Sequence, residues 1–224
     1  MILAAGRGER MRPLTDHCPK PLLAVDGKPL IEHHIVKLAA IGVTDIVINY
    51  AWLGDKIRHY LQDGKQWGVN IIYSDESSGA LETAGGIKKA LPLLGEAPFL
   101  VVNGDIYTDF DFNHLPELSA DVDAHLWLVN NPEHNPQGDF ALSDGKLVNK
   151  ALENKDKFFT FSGIALYRPQ FFHQSSLNTS VQPLAPMLRA AAEQQKISAT
   201  LLDNLWVDVG TPQRLSDLNQ SLCK

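Results

Sequence analysis

Two glycines and four cations crowd the start of this chain. The run Leu3-Ala4-Ala5-Gly6-Arg7-Gly8-Glu9-Arg10-Met11-Arg12-Pro13-Leu14-Thr15 is followed by Pro19-Lys20-Pro21. Backbone N–H groups around Gly6 and Gly8 can turn toward one point and cradle an anion. Arg7, Arg10, Arg12 and Lys20 add full positive charge beside that cradle. The whole chain carries a formal charge of −6, so the cluster reads as a local polyphosphate site and not as a generally basic surface. Two familiar phosphate motifs do not fit. G-x-x-x-x-G-K-[ST] is absent, and Met11 stands where G-x-G-x-x-G needs its third glycine.

The elements that would position this loop alternate. Residues 1–5 read as a short buried strand running into it. Pro29 opens a helical stretch with Ile31, Ile35 and Leu38 on one face and Gly42 at its end. Residues 46–48 and 69–73 read as strands, separated by a short helix marked by Ile57, Tyr60 and Leu61. A loop holding Thr83 leads to a helix over 87–94, and the apolar strand 99–102 runs into Asn103-Gly104-Asp105. Strands apolar on both faces, joined by helices, predict a parallel sheet covered on both sides. The second half differs. Strands are expected over 124–129, 158–167 and 206–209, with a hairpin over 140–148 turning at Ser143-Asp144-Gly145. Leu184, Met187, Leu188 and Ala191 space as one helix face, and Thr211 and Pro212 suit the cap and first position of a terminal helix. The expectation is a single α/β domain over 1–224 with a Rossmann-like mixed, mostly parallel central sheet flanked by helices. Residues 1–110 would form one lobe of that domain and 111–224 a second.

The loop and its P-K-P sequel resemble the signature of the sugar-1-phosphate nucleotidylyltransferases, the NDP-sugar pyrophosphorylases. Leu81-Glu82-Thr83-Ala84-Gly85-Gly86, Asn103-Gly104-Asp105 and Trp206-Val207-Asp208-Val209-Gly210-Thr211 are similar to later family segments in the same order. The resemblance spans essentially the whole chain. It implies joining of a nucleoside triphosphate to a sugar 1-phosphate with release of pyrophosphate. Glu82-Thr83, Gly138-Asp139-Phe140 and Thr160-Phe161-Ser162-Gly163-Ile164 resemble the uridylyltransferase branch that serves cell-wall recycling, which implies UTP as donor. The guanylyltransferases of mannose or heptose 1-phosphate carry the same motifs and stay open at this point. So does a non-catalytic nucleotide-sugar sensor, although such a protein should lose the loop lysine or a metal carboxylate. A choline-phosphate cytidylyltransferase would need an aromatic box.

Carried over residue by residue, the family pattern makes Asp105 and Asp208 the Mg²⁺ ligands and Arg10 and Lys20 the catalytic cations. Ala4, Ala5, Gly6, Gly8, Glu82, Thr83, Gly85 and Asn103 would meet the nucleotide. Gly138, Asp139, Ser162 and Gly163 would meet the sugar. The attacking sugar phosphate is dianionic above a second pKa of about 6. It needs no general base, which suits the lack of a nucleophile-and-histidine constellation. Two departures stand out: Glu9 replaces the usual Thr, and Glu153-Asn154-Lys155 only approximates a Glu-Lys pair that grips the sugar phosphate, so Lys155, Lys157 or a residue elsewhere in the chain would take that task.

Composition bounds the rest. With 44% hydrophobic and 21% charged residues the chain reads as an ordinary globular protein. The negative balance argues against nucleic acid, no apolar run approaches the ~20 residues that span a bilayer, and no signal peptide is evident. A cytoplasmic location is expected, with no protein partner evident. Two distant cysteines, Cys18 and Cys223, read as free thiols, with Cys18 inside the phosphate loop.

Overall fold

The computed structural model describes residues 1–149, 157–173 and 180–223. In chain order its elements are β1 (Ile2–Ala4), β2 (Ala24–Val25), β3 (Lys28–Pro29), α1 (Leu30–Ala40), β4 (Asp45–Tyr50), α2 (Gly54–Leu61), β5 (Asn70–Asp75), α3 (Glu82–Leu94), β6 (Phe99–Asn103) and β7 (Ile106–Thr108). There follow β8 (Ala124–Val129), β9 (Phe140–Ser143), β10 (Lys146–Val148), β11 (Phe158–Tyr167), α4 (Gln170–His173), α5 (Leu184–Glu193), β12 (Ile197–Leu201), β13 (Trp206–Asp208) and α6 (Pro212–Leu222). They gather into two units. One holds Met1–Ala80, Val102–His114 and Leu205–Lys224; the other holds Leu81–Val101 and Leu115–Asn204.

The first unit is built on parallel pairing. β4 lies between β5 and β1, and β1 also pairs with the end of β6: Ile2 faces Ile48 on one side and Val102 on the other. Ile46, Val47 and Ile48 are all buried, as a strand covered on both faces requires. α1 buries Leu30, Ile31, His34, Ile35 and Leu38, one face of a 3.6-residue period. Met11, Leu23, Val25, Leu30, Val209 and Leu218 form a small core cluster. The methionine that breaks the dinucleotide motif thus anchors the glycine loop by its side chain. The antiparallel ribbon of β7 and β13 was hidden in the sequence for β7, whose three residues are too short to show a period. α6 begins as expected: Pro212 is its first residue and the Thr211 hydroxyl accepts the Arg214 N–H at 3.3 Å.

The second unit is mixed. β8 pairs antiparallel with β11 and parallel with β12; β10 pairs antiparallel with both β12 and β9, and the start of β11 also pairs with β9. The expected hairpin forms with Asp144 (φ 48°) and Gly145 (φ 74°) as its two-residue turn, both in the left-handed region a type I′ turn demands. β12, Ile-Ser-Ala-Thr-Leu, was not read from the sequence. Helix α3 starts at Glu82, five residues before the expected 87, so the loop expected at Thr83 is the first turn of that helix. The Gly85-Gly86 pair, which looks like a breaker, serves packing instead. A Cβ on Gly85 would stand 2.3 Å from the Ser180 carbonyl oxygen, and Gly85 N–H donates to Gln182 at 3.1 Å.

Candidate active site

The glycine loop leaves β1 at its carboxyl end, where open α/β sheets bind ligands. Gly8 has φ 67°, a left-handed conformation, and a Cβ there would press on Thr15 Cγ2 at 3.1 Å and Lys20 Cβ at 3.2 Å. The Thr15 hydroxyl donates to the Gly8 carbonyl at 2.8 Å, and the Trp52 indole N–H donates to the Thr15 carbonyl at 2.9 Å. Arg7 lies over the Trp52 ring, 4.3 Å from its centroid. Trp52 therefore braces the loop from just beyond the end of β4. Arg12 pairs with Asp16 at 2.7 Å. Arg10 is exposed and makes no hydrogen bond or ion pair with a described residue.

Lys20 is the buried cation of the set, 7% exposed. Its ammonium donates to Asp105 Oδ2 at 2.6 Å and stands 3.9 Å from Asp208 Oδ1. Backbone geometry brings the two carboxylates there. Gly104 N–H donates to the Leu3 carbonyl at 2.8 Å, and a Cβ on Gly104 would approach that oxygen to 2.7 Å, so Asn-Gly-Asp is bound tightly to the end of β1. In the β7–β13 ribbon Ile106 faces Asp208, and Val209 N–H donates to the Asp105 carbonyl at 3.1 Å. Arg214, which the sequence reading did not single out, reaches back from α6 to donate to Asp208 Oδ2 at 2.7 Å and to the Asp208 carbonyl at 2.9 Å.

Other expected residues fall as follows. The Ala4 N–H is taken by the Asn49 side chain at 2.8 Å, and Asn49 in turn donates to the buried Glu76 at 2.7 Å. Ala5 is half-buried, Gly6 is exposed, and Asn103 ends β6 opposite Leu3. A Cβ on Gly6 would meet nothing in the described protein, so the fold itself does not demand glycine there. Glu82 is exposed with φ 61°, and Thr83 is half-buried in the first turn of α3. Asp139 spends both carboxylate oxygens inside the protein, on Asn135 Nδ2 at 3.1 Å and Phe161 N–H at 2.8 Å. A Cβ on Gly138 would clash with Asn131 Oδ1 at 2.7 Å. Ser162 is buried, its hydroxyl accepts from Ile164 N–H, and with Gly163 it forms the register shift in β11. Lys157 contacts Asn130 at 3.2 Å; Glu153, Asn154 and Lys155 lie outside the described residues. Asp111 caps Asn113 N–H at 3.0 Å, and that bond holds its carboxyl below the usual range. Both cysteines are free, and burial pushes the Cys18 thiol up, away from the reactive thiolate.

No group of three or more His, Cys, Asp or Glu among the described residues is arranged to hold a metal ion. Two carboxylates with solvent-accessible oxygens do suit Mg²⁺, which keeps several waters and takes further oxygens from phosphate. That the pair already draws a buried ammonium shows its appetite for a cation.

A strand-end glycine loop beside a buried lysine and two carboxylates, on an α/β fold, is an arrangement suited to phosphates and their counter-cation. The chain matches the nucleotidyl transferase family model over residues 1–224 and belongs to that family. It is 54% identical to N-acetylmuramate alpha-1-phosphate uridylyltransferase of Neisseria meningitidis, with 97% of this chain and 95% of that protein covered. It is 33% identical to the Caulobacter vibrioides protein of the same name, covering 95% of this chain and 92% of that one. Among solved structures, a putative glucose-1-phosphate thymidylyltransferase from Bacillus anthracis superposes with a TM-score of 0.84 at 23% identity, covering 98% of this chain and 93% of that one, a likeness of fold.

Proposed function

We propose that this chain transfers UMP from UTP to N-acetylmuramate α-1-phosphate, giving the UDP-sugar and pyrophosphate, as a cytoplasmic step of peptidoglycan recycling. The observation that carries the chemistry is the buried Lys20 held between Asp105 and Asp208 at the mouth of the glycine loop. The 54% identity to a uridylyltransferase carries the choice of donor and sugar.

In this reaction a phosphate oxygen of the sugar 1-phosphate attacks the α-phosphorus of UTP. The new P–O bond forms as the α–β bridging bond breaks, and pyrophosphate leaves with that electron pair. No proton need move, because the attacking phosphate is already ionised. The obstacle is repulsion between anions, so positioning and charge neutralisation are the protein's task. Lys20 would neutralise charge at the α-phosphate. Arg10, exposed and uncommitted to a described partner, and the N–H groups near Gly8 would hold the departing pyrophosphate. Gly6, whose missing side chain leaves open space, lets the Ala4–Gly6 backbone approach the base; Glu82, Thr83, Gly85 and Asn103 are assigned to nucleotide binding from the family pattern. Gly138, Asp139, Ser162 and Gly163 are assigned to shaping the sugar end, since their polar atoms are engaged in the loop and the bulge. Asp105 and Asp208 would hold Mg²⁺, which when bound supplies charge neutralisation to the phosphates.

The test is pyrophosphate release across UTP, GTP, CTP and ATP, each with N-acetylmuramate, mannose or heptose 1-phosphate, with Mg²⁺ or with EDTA. Release confined to UTP, N-acetylmuramate 1-phosphate and metal is expected. A GTP signal with mannose or heptose phosphate would overturn the substrate assignment while keeping the mechanism. Binding of UDP-sugar without release in any combination would favour a sensor.

A further inference from the structure

Two cations share the carboxylate of Asp208, and they are held in different ways. Lys20 reaches Asp208 Oδ1 only at 3.9 Å and is committed more closely to Asp105 Oδ2 at 2.6 Å. Arg214 Nη1 bonds both Asp208 Oδ2 and the Asp208 backbone carbonyl. Bridging a side chain to its own backbone fixes its rotamer. The Arg214 backbone is held in turn, because its N–H is bonded to the Thr211 cap of α6. The local sequence makes room for this: a Cβ on Gly210 would sit 3.0 Å from Arg214 Nη2 and 3.0 Å from Asp208 Oδ2.

We infer that Arg214 is a positioning residue, the permanent counter-cation that aims Asp208 Oδ1, while Lys20 is the exchangeable one. This rests on the reading of Asp105 and Asp208 as the divalent-cation ligands. Oδ1 is the oxygen on the side of Lys20 and Asp105, and Arg214 occupies Oδ2. A divalent cation that uses both carboxylates therefore competes with the Lys20 ammonium and leaves the Arg214 bond in place. Lysine suits the exchangeable role as a point charge on a flexible stem, and arginine the fixed role as a rigid planar donor. Lys20 is then released toward phosphate only once the carboxylates are neutralised by the incoming cation.

The inference assigns opposite signs to two charge deletions. Mn²⁺ binding to the full chain without nucleotide, followed by electron paramagnetic resonance, reads them directly. Lys20→Met should bind Mn²⁺ about tenfold more tightly, by loss of the competing cation. Arg214→Met should bind it at least about tenfold more weakly, the range seen when a partner of a metal ligand is removed. Arg214→Lys should fall between Arg214→Met and the wild type, and it keeps the test readable if Arg214→Met does not fold. If Arg214 were only one more repelling charge, Arg214→Met would tighten binding and Arg214→Lys, which keeps the charge, would leave it unchanged. Tightening, or wild-type affinity in both of them, overturns the positioning role. Unchanged or weaker binding in Lys20→Met overturns the exchange. If Asp105→Asn and Asp208→Asn bind Mn²⁺ as the wild type does, the metal reading falls, and this inference with it.

Discussion

A buried lysine is costly unless its charge is met, and at Lys20 two carboxylates meet it. This arrangement sacrifices nothing in binding a neutral part of the nucleotide, so its loss should appear in turnover. Lys20→Met and Asp105→Asn are each expected to lower kcat by about 100-fold or more, the usual cost of deleting a group that stabilises developing charge. KM for UTP should change only several-fold. Steady-state kinetics separates the two, and a variant with a raised KM and near-normal kcat would place its residue in ground-state binding instead. Lys20, Asp105 and Asp208 were legible as candidates because each stands in a segment that resembles a family motif, and the fold brings the three side chains together. Arg214 was not. A lone arginine in the first turn of a terminal helix reads as a solvated side chain, whereas here it lies against Asp208 in space that a Cβ on Gly210 would crowd.

Elements with a long apolar pattern were read to within a residue or two, as in β8, β11 and the β9–β10 hairpin. Short ones were lost: β7 has three residues, and β12 mixes Ser and Thr among its apolar positions. The first turn of α3 was not legible, since paired glycines disfavour helix and its stabilising contacts, the close approach to the Ser180–Gln182 backbone, are remote in sequence. The same kind of approach makes Gly104 a sharp test of how β1 and the β7–β13 ribbon are joined. Gly104→Ala should cost on the order of 2 kcal/mol, as overpacking does where backbone must shift. It should also reduce activity more than stability, since Asp105 is the next residue. Chemical denaturation and turnover measured on one preparation check this; native values for both would show that the turn has slack. The aromatic cluster of the second unit offers the opposite sign. Tyr167, wholly buried against Phe99, Phe171 and Phe172, has no hydrogen-bond partner for its hydroxyl among the described residues. Tyr167→Phe removes that unpaired group and keeps the ring, and it is expected to stabilise the chain by about 1 kcal/mol. A lower denaturation midpoint in Tyr167→Phe would mean the hydroxyl has a partner after all.

At the scale of the whole molecule, a chain of formal charge −6 proposed to bind two anions must keep its positive charge local and meet or neutralise what it buries. Two buried histidines show the second requirement. His34 Nε2 lies 2.9 Å from the Ile106 carbonyl, an acceptor only, so that nitrogen carries a proton, and burial favours the neutral ring over the imidazolium. Burial pulls the His34 pKa down from 6.5 to about 4, and burial does the same at His125. In both cases the unfolded chain binds the proton more readily than the folded one. Stability should therefore be fully present above pH 6.5, fall as pH drops toward 4, and stay low beneath that. For the fully buried His34 the loss is at most about 3 kcal/mol; for the less enclosed His125 it is smaller. Urea denaturation as a function of pH would read the combined slope. His34→Gln keeps a donor for the Ile106 carbonyl but cannot titrate, so its stability should fall less steeply across the same window. If the variant and the wild type lost stability in parallel between pH 6.5 and 4, His34 would not be the group that couples acid to unfolding. The burden would then pass to His125 or to carboxylates whose pKa values the fold depresses.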